Sequence, residues 1–459
     1  MVKIAFIGAG SRIFCKTILT DILAFPDLRK NAIIALHDIN KLRLDHVYKE
    51  MQLYKKNFPE ELENVHFEKS LDQREVISNA KYVFSAIMVG GPEALNLDID
   101  IPYKYGVSQC IGDTVGPGGV FRALRSFPVF NEIVTNMKEV GYNAGTKNSS
   151  KPLLLNYANP MSMNTWYCNE VLPGSTVGLC HGVQGTAKQL QYYLGVGPDE
   201  FSYLCAGINH MAWFIELWCR DTLAGKDTPW QDAYPVIWEH HDDEPELEGT
   251  EKVRWDMMKA TGHYMTESSG HLSEYLPYYR KRADLIEKYA GDTDGFDNLK
   301  HGWDKEFYGK NTDDVESRIL LDPDEMKVFK RQPSEEYGSH IVNAMETNKP
   351  FKFNGNVENV NGALVTNLPP GCCVEVPIFA DFHGLHPQGG IELPTACQAL
   401  CLSNIIVHKS TIEGALALDR EKIYHAVLLD PNTASVCSPE EIRSMVDEMF
   451  DSQEKWLYF

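Results

Sequence analysis

The sequence predicts an α/β protein built on a doubly wound parallel sheet, with a mixed α+β region in its C-terminal half. The first observation is a strand at Val2–Ile7 that runs into Gly8-Ala9-Gly10-Ser11 and then into a helical stretch. The second is the regular alternation of strand-like and helical segments that follows. Such alternation is typical of parallel sheets covered by helices, whose ligands bind at the carboxyl ends of the strands.

The elements of the first 195 residues are predicted from β-branched and aromatic runs for strands and from apolar residues at helical spacing for helices. The predicted strands are Val2–Ile7, Ala32–His37, Lys81–Val89, Leu153–Tyr157 and Thr176–Leu179. The predicted helices are Arg12–Leu23, Lys41–Lys55 and Gln184–Leu194.

A domain boundary is expected near residue 195, because Gly195-Val196-Gly197-Pro198 interrupts the pattern. We therefore predict a dinucleotide-binding domain over residues 1–195 and an α+β substrate and oligomerisation domain over residues 196–459. In the second domain, the sequence predicts helices at Ser334–Asn348 and Gln398–Leu418, a strand at Cys372–Ala380 and a surface loop at His240–Glu251.

Charge and cysteine content limit the partners and the compartment. The 459 residues carry a formal net charge of −21, which disfavours nucleic acid and anionic membranes, since both need a basic surface. The eleven cysteines have no regular spacing, so they do not indicate a disulfide framework. No signal-like segment precedes the strand at residue 2, and no apolar run is long enough to cross a bilayer. A reducing cytoplasm is the expected location.

The glycine turn indicates a dinucleotide. Gly8 and Gly10 allow close approach to a pyrophosphate, and the helix after Ser11 offers its N-terminal N–H groups. An ordinary tight turn is the alternative, but the second strand ends at Asp38, which is placed to accept hydrogen bonds from ribose hydroxyls. An acid there repels a 2′-phosphate, so NAD is expected rather than NADP.

Two further strand ends carry residues that bind metals. Cys180 and His210 offer a thiolate and an imidazole, which suit a transition metal better than magnesium. The alternative is that Cys180 is an ordinary core cysteine, and a pair thirty residues apart matches no known metal motif. The residues alone leave this choice open.

Three other segments are candidates for substrate contacts. Gly112–Gly119 is so rich in glycine that we expect a loop approached closely by a ligand, and Asn156–Pro160 places amides suited to sugar hydroxyls at a strand end. Tyr264–Tyr279 concentrates acidic, histidine and tyrosine residues. An aromatic interface helix is the alternative for most of that third segment.

Taken together, these motifs resemble the NAD- and manganese-dependent glycosidases of glycoside hydrolase family 4, and within them the melibiase-type α-galactosidases. The matching stretches span nearly the whole chain: residues 6–11, 112–119 with 122–125, 155–166 (LNYANPMSMNTW), 178–186 (GLCHGVQGT), 206–212 (AGINHMA), 266–269 (TESS) and 367–375 (NLPPGCCVE). The resemblance implies a Rossmann-type fold like that of lactate and malate dehydrogenases, and a homodimer or homotetramer.

The resemblance also implies a mechanism. Cys180 and His210 would bind Mn²⁺, or another divalent transition metal, together with sugar hydroxyls, and Asn159 and Asp113 would contact the substrate. NAD would take hydride from C3, a base would remove the C2 proton, and the aglycone would leave from C1 before water adds and the hydride returns.

The acid and base are not fixed by the resemblance. Glu267, His271 and Tyr275 are the candidates for the C2 base. His181 stands where phospho-glycosidase members carry the aspartate that protonates the leaving group, and a histidine can also donate a proton near neutral pH. Leu95 replaces an arginine of the phospho-glycosidases, which favours a neutral sugar.

The leading expectation is an α-galactosidase acting on melibiose- or raffinose-type sugars. The nearest alternatives are an α-glucosidase, an α-galacturonidase or an α-glucuronidase of the same family. An NAD-dependent 2-hydroxy-acid dehydrogenase would share the cofactor fold without needing Cys180, and a non-enzymatic NAD sensor is a further alternative.

Overall fold

The structure is a computed structural model that describes residues 1–11, 14–144, 151–220, 228–243, 249–290 and 327–459. It confirms the predicted α/β class, with a sheet whose parallel half comes first in the chain. The parallel strands are β1 Val2–Ile7, β2 Ala32–His37, β3 Val65–Ser70, β4 Tyr82–Ser85, β5 Leu153–Asn156 and β6 Thr176–Gly178.

These six strands lie in the order β3-β2-β1-β4-β5-β6, and every neighbouring pair is parallel. The order reverses direction between β1 and β4, which is where ligands bind in doubly wound sheets. The strand predicted over Lys81–Val89 is shorter than expected, because the chain leaves the sheet after Ser85 and loops against the turn at Gly8.

The antiparallel half continues the same sheet. Its strands are β7 Phe201–Ile208, β8 Met211–Cys219, β9 Gln231–Asp232, β10 Tyr264–Met265, β11 Phe351–Glu358, β12 Cys373–Asp381 and β13 Gly384–Pro387. β6 pairs with β11, β11 with β12, and β12 with β7, all antiparallel. This mixed region confirms the α+β character predicted for the C-terminal half.

One row of paired residues explains how distant segments meet. Gly178 of β6 pairs with Asn356 of β11, Asn356 with Glu375 of β12, and Glu375 with Gly207 of β7. Cys180 follows the first residue of this row by two positions, and His210 follows the last by three. The register of the sheet therefore brings both residues to one edge.

Helices cover the sheet. In the first half they are α1 Phe14–Ala24, α2 Pro26–Arg29, α3 Lys41–Asn57, α4 Pro59–Leu62, α5 Gln73–Ile77, α6 Gly91–Lys104, α7 Gly116–Val140, α8 Met161–Val171 and α9 Gly182–Leu194. In the second half they are α10 Ala233–Asp243, α11 Lys252–Thr261, α12 Ser269–Tyr275, α13 Ala283–Ala290, α14 Tyr337–Thr347, α15 Thr395–Ala417, α16 Arg420–Leu428, α17 Pro431–Ala434 and α18 Pro439–Gln453. Short 3₁₀ turns occupy Pro198–Glu200, Val360–Gly362 and Glu454–Trp456.

Two loop predictions were wrong in part. Only the first half of Gly112–Gly119 is a loop, because α7 begins at Gly116 with proline in its first turn, where a missing N–H costs nothing. The surface loop predicted at His240–Glu251 instead begins inside α10, which extends to Asp243, and residues 244–248 lie outside the described part of the chain.

The main core is formed by strands of both halves of the sheet, namely β1, β2, β4, β5 and β12, with the helices around them. A smaller apolar cluster lies beneath β7 and β8. Among the described residues, no helix has both the length and the hydropathy needed to cross a membrane.

Candidate active site

A cavity of about 530 Å³ opens at the edge of the sheet where β5 and β6 end. It is lined by six of the residues that the sequence singled out: Asn159, Cys180, His181, His210, Glu267 and His271. Three of these lie within residues 1–195 and three within residues 196–459. Both parts of the chain therefore build one site.

Cys180 lies between the end of β6 and the beginning of α9. Its side chain is half-buried, and its Sγ accepts a hydrogen bond from the N–H of Gly182 at 3.5 Å. Burial raises the pKa of this thiol, with Glu267 and Glu375 adding to the rise. A cation beside the sulfur would reverse that effect, because a metal-bound thiol is deprotonated.

His210 lies in the two-residue turn that joins β7 to β8, where Ile208 pairs with Met211. Its φ of 64° is left-handed, as such tight hairpins require, and histidine tolerates this region better than most residues. Gly207 permits the turn, since a Cβ there would lie 2.6 Å from the carbonyl oxygen of Met211. The hairpin therefore holds His210 in one place.

Glu267 completes a donor cluster. It follows β10, and its Oε2 lies 3.5 Å from His210 Nε2. One donor atom from each of Cys180, His210 and Glu267 lies within 4.8 Å of the other two. A thiolate, an imidazole and a carboxylate at this separation suit a divalent transition metal and leave coordination positions for substrate.

The hydrogen bonds of Thr114 determine which nitrogen of His210 carries the proton. Thr114 Oγ1 donates to Asp113 Oδ1 at 2.8 Å and accepts the phenolic proton of Tyr275 at 3.1 Å. Its one proton is thus used, so His210 Nδ1, 2.8 Å away, must be the donor of that contact. Nε2 then keeps a free lone pair, as a metal ligand needs.

His271 and Glu267 form an ion pair in the cavity. His271 Nδ1 lies 3.2 Å from Glu267 Oε1. Burial opposes the charged form of both, but their mutual attraction is stronger: the pKa of His271 rises to about 9, and His210 and His271 hold the pKa of Glu267 well below its usual range. The carboxylate is therefore ionised and the imidazole of His271 is protonated at neutral pH.

Two predicted residues lie behind the cavity wall. Asp113 is buried, and its Oδ2 accepts a hydrogen bond from Asn159 Nδ2 at 2.7 Å. Burial opposes its ionisation, yet the charge of Arg122, together with that of His271, lowers its pKa overall. Tyr275 is 1% exposed, stacks on His210 with ring centroids 6.0 Å apart, and has its pKa raised by burial and nearby carboxylates.

His181 projects into the mouth of the cavity directly before α9 and pairs with Glu336, the residue before α14. The hydrogen bond that the protonated imidazole donates to Glu336 is the main reason that the pKa of His181 is raised, although burial opposes it. Glu336 was not predicted, and nothing in its local sequence marks it, because the contact spans 155 positions.

The glycine turn has the geometry of a dinucleotide site. Gly8 has a φ of 83°, and a Cβ there would lie 2.5 Å from the carbonyl oxygen of Ala86. The N–H of Ser11 donates to the carbonyl oxygen of Gly8 at 2.9 Å, which closes the turn. Only glycine allows the backbone to lie this close to the next loop.

Asp38 is tied to that turn more closely than expected. Its Oδ2 accepts the N–H of Gly10 and its Oδ1 the N–H of Asn40, both at 2.8 Å. Each oxygen retains a second lone pair, so the carboxylate can still accept ribose hydroxyls. Asp38 therefore shapes the turn.

Comparison with known proteins confirms the family that the sequence motifs resemble. The family model described as "Family 4 glycosyl hydrolase" matches residues 3–196, and the model of its C-terminal domain matches residues 205–433. An α-galactosidase of Rhizobium meliloti is 38% identical over 99% of this chain and 89% of its own length. An α-galactosidase of Bacillus subtilis is also 38% identical, over 100% of this chain and 99% of its own length.

Solved structures confirm the predicted Rossmann-type fold. A 6-phospho-β-glucosidase from Thermotoga maritima, solved with manganese, NAD⁺ and glucose-6-phosphate, matches with a TM-score of 0.73 at 18% identity over all of both chains. Trichomonas vaginalis lactate dehydrogenase matches with a TM-score of 0.51 at 12% identity, over 91% of this chain and 98% of that one.

Proposed function

This chain belongs to family 4 of the glycosyl hydrolases, and from that premise we propose that it hydrolyses α-galactosides of the melibiose or raffinose type with NAD and Mn²⁺. The observation that carries the proposal is the convergence of Cys180, His210 and Glu267 at the sheet edge that also carries the glycine turn. The relatives that are 38% identical and named α-galactosidases support the choice of sugar.

The residues present fit both the divalent cation and NAD. Cys180, His210 Nε2 and Glu267 would hold the divalent cation, and residues 1–195, through Gly8, Gly10, Ser11 and Asp38, would hold NAD. When bound, NAD supplies a hydride acceptor and the cation a Lewis acid that makes the proton beside an oxidised sugar carbon more acidic. The roles below belong to the protein's own side chains.

Asn159 is proposed to orient the sugar. Its Nδ2 donates to Asp113, so its side-chain amide oxygen keeps the capacity to accept a substrate hydroxyl. Asp113 acts one step behind it, because it fixes the orientation of the amide. This division explains how both residues contribute although only Asn159 lines the cavity.

His181 is proposed to protonate the leaving group, with Glu336 holding the imidazole in its protonated form. Glu267, His271 and Tyr275 stay the candidates for the C2 base, and His271 could act as one only after losing the proton that its pairing with Glu267 stabilises. Glu267 and His271 line the cavity, whereas the hydroxyl of Tyr275 lies behind His210 and donates to Thr114. A base on Tyr275 would therefore need that hydroxyl to turn toward the sugar.

A substrate panel tests the proposal. Melibiose, an α-glucoside, an α-galacturonide and a 2-hydroxy acid would each be incubated with NAD and Mn²⁺ while free sugar and NADH are measured. We expect cleavage of melibiose without net NADH. Cleavage confined to the glucoside or the galacturonide would assign a sister activity of the family, and net NADH without released sugar would assign a dehydrogenase.

A cytoplasmic location is also proposed, because all eleven cysteines are free thiols and a reducing compartment keeps them so. The domain boundary at residue 195 and the homodimer or homotetramer stay predictions.

A further inference from the structure

A second buried carboxylate lies close to the site but outside the cavity. Glu274 of α12 is 4% exposed, and its carboxylate accepts hydrogen bonds from three consecutive backbone N–H groups. The N–H of Cys110 donates at 2.6 Å, that of Ile111 at 3.2 Å and that of Gly112 at 3.2 Å. Neither the sequence patterns nor the proposed chemistry gives this residue a role.

These donors belong to the loop between α6 and α7. The loop has no helix or strand of its own to pair its N–H groups, and a buried N–H without a partner is costly. Glu274 supplies the acceptor for three of them at once. It therefore fixes the backbone of residues 110–112 from the C-terminal half of the chain.

The next two residues of the loop are those that reach the metal-type cluster. Asp113 holds Asn159, and Thr114 fixes the protonated nitrogen of His210. Tyr275, the neighbour of Glu274, donates to Thr114. Two adjacent residues of α12 thus hold the loop, one through its backbone and one through a hydroxyl.

We propose that Glu274 is a positioning residue that fixes the loop of residues 110–114 so that Thr114 can hold His210 Nε2 toward Cys180 and Glu267. The inference rests on the proposed function in one respect, namely that these three residues bind Mn²⁺. It adds a requirement: the affinity for the ion depends on a carboxylate that touches neither the ion nor the substrate.

The test is Mn²⁺ binding to the metal-stripped full-length protein, followed by electron paramagnetic resonance, for Glu274→Gln. The amide keeps one acceptor but turns an N–H₂ toward the remaining donors, so we expect a dissociation constant raised roughly 10- to 100-fold, as for other groups that orient ligands. Hydrogen exchange at residues 110–112 should become faster. Glu346→Gln is the matched control, because Glu346 binds Lys81 and Tyr82 away from the cavity.

A double-mutant cycle with Thr114→Val tests the route of the effect. If Glu274 acts through Thr114, Glu274→Gln should weaken Mn²⁺ binding far less in the Thr114→Val background than in the wild type, since coupled sites are not additive. Glu274→Asp, which keeps a carboxyl group but reaches less far, should lie between wild type and Glu274→Gln and covers the case in which the glutamine variant does not fold.

The outcomes are distinct. Unchanged Mn²⁺ affinity and unchanged exchange in Glu274→Gln and Glu274→Asp would overturn the role of Glu274 and leave the proposed function intact. If the loss of Mn²⁺ affinity in the double variant equals the product of the losses in Glu274→Gln and Thr114→Val, the two residues act independently, and the route through Thr114 is overturned. A wild-type protein that binds no Mn²⁺ would overturn the proposed function and this inference together.

Discussion

Thr114 Oγ1 lies 2.8 Å from His210 Nδ1, although the two residues are 96 positions apart. Because the hydroxyl proton of Thr114 goes to Asp113, this contact makes Nδ1 the donor and leaves Nε2 free to bind an ion. The hairpin of β7 and β8 thus fixes the position of this imidazole, and the loop before α7 fixes which of its nitrogens carries the proton.

The donor cluster predicts that Cys180→Ser and His210→Ala each lose Mn²⁺ binding. Removing a ligand should weaken affinity by at least the roughly 100-fold seen for groups that only orient ligands. Titration of the stripped protein with Mn²⁺ measures this, and circular dichroism checks the fold. Cys219→Ser is the matched control, since that thiol lies at the far end of β8. Wild-type affinity in either variant would remove that residue from the metal site.

Asp38→Ala should weaken NAD binding by about 10-fold or more, the effect expected for lost hydrogen bonds to a charged group. Discrimination against NADP should fall with it, because the negative charge that repels a 2′-phosphate is gone. Titration followed by protein fluorescence gives both constants.

Asp38→Asn is the comparison variant, since it preserves much of the support that Asp38 gives to Gly10 and Asn40. If Asp38→Asn lowers the preference for NAD over NADP as much as alanine does, charge is the cause. An unchanged preference in both variants would mean that Asp38 only shapes the turn.

Leaving-group dependence tests His181. Its replacement by asparagine should lower kcat/KM for melibiose by roughly 10²- to 10⁴-fold, the usual contribution of a general acid. A 4-nitrophenyl α-galactoside should lose much less, because its leaving group needs no proton. Equal losses on the two substrates would show that His181 does not act as the acid. Glu336→Gln should show the same dependence in weaker form, because it removes the pairing charge.

The kinetic isotope effect at C2 distinguishes the three base candidates. Glu267→Gln, His271→Asn and Tyr275→Phe should each be given an α-galactoside carrying deuterium at C2. We expect the primary isotope effect on kcat to rise in the variant that lacks the base, since deprotonation then limits the rate. A variant with unchanged rate and isotope effect is excluded as the base.

The glycine turn of the proposed cofactor site could be predicted because its signal is local. Gly8 and Gly10 follow one strand and Asp38 follows the next, so adjacent strands alone place them together. Cys180 and His210 could each be proposed as a metal ligand, but the sequence could not show that they lie side by side. Their proximity depends on the row of paired residues from Gly178 to Gly207, which crosses strands far apart in sequence. No pattern in the sequence specifies that register.

The rest of the site depends on contacts of still longer range. Glu267 was expected as a base, and its place in the donor cluster arises only when β10 pairs with β8. Glu336 and Glu274 act on partners more than 150 positions away, with no local signal to mark them. The glycine-rich segment was misjudged because Gln109 accepts the N–H of Gly118 and so allows a helix to begin at Gly116.

Hydrolysis of melibiose in heavy water tests the central claim most directly. Cleavage that begins with loss of the C2 proton to a base should release galactose carrying deuterium at C2, and it should stop when NAD is removed. A control in ordinary water gives the unlabelled product for mass spectrometry. Galactose with protium at C2, formed equally well without NAD, would contradict the account, because it would show that bond cleavage involves C1 alone.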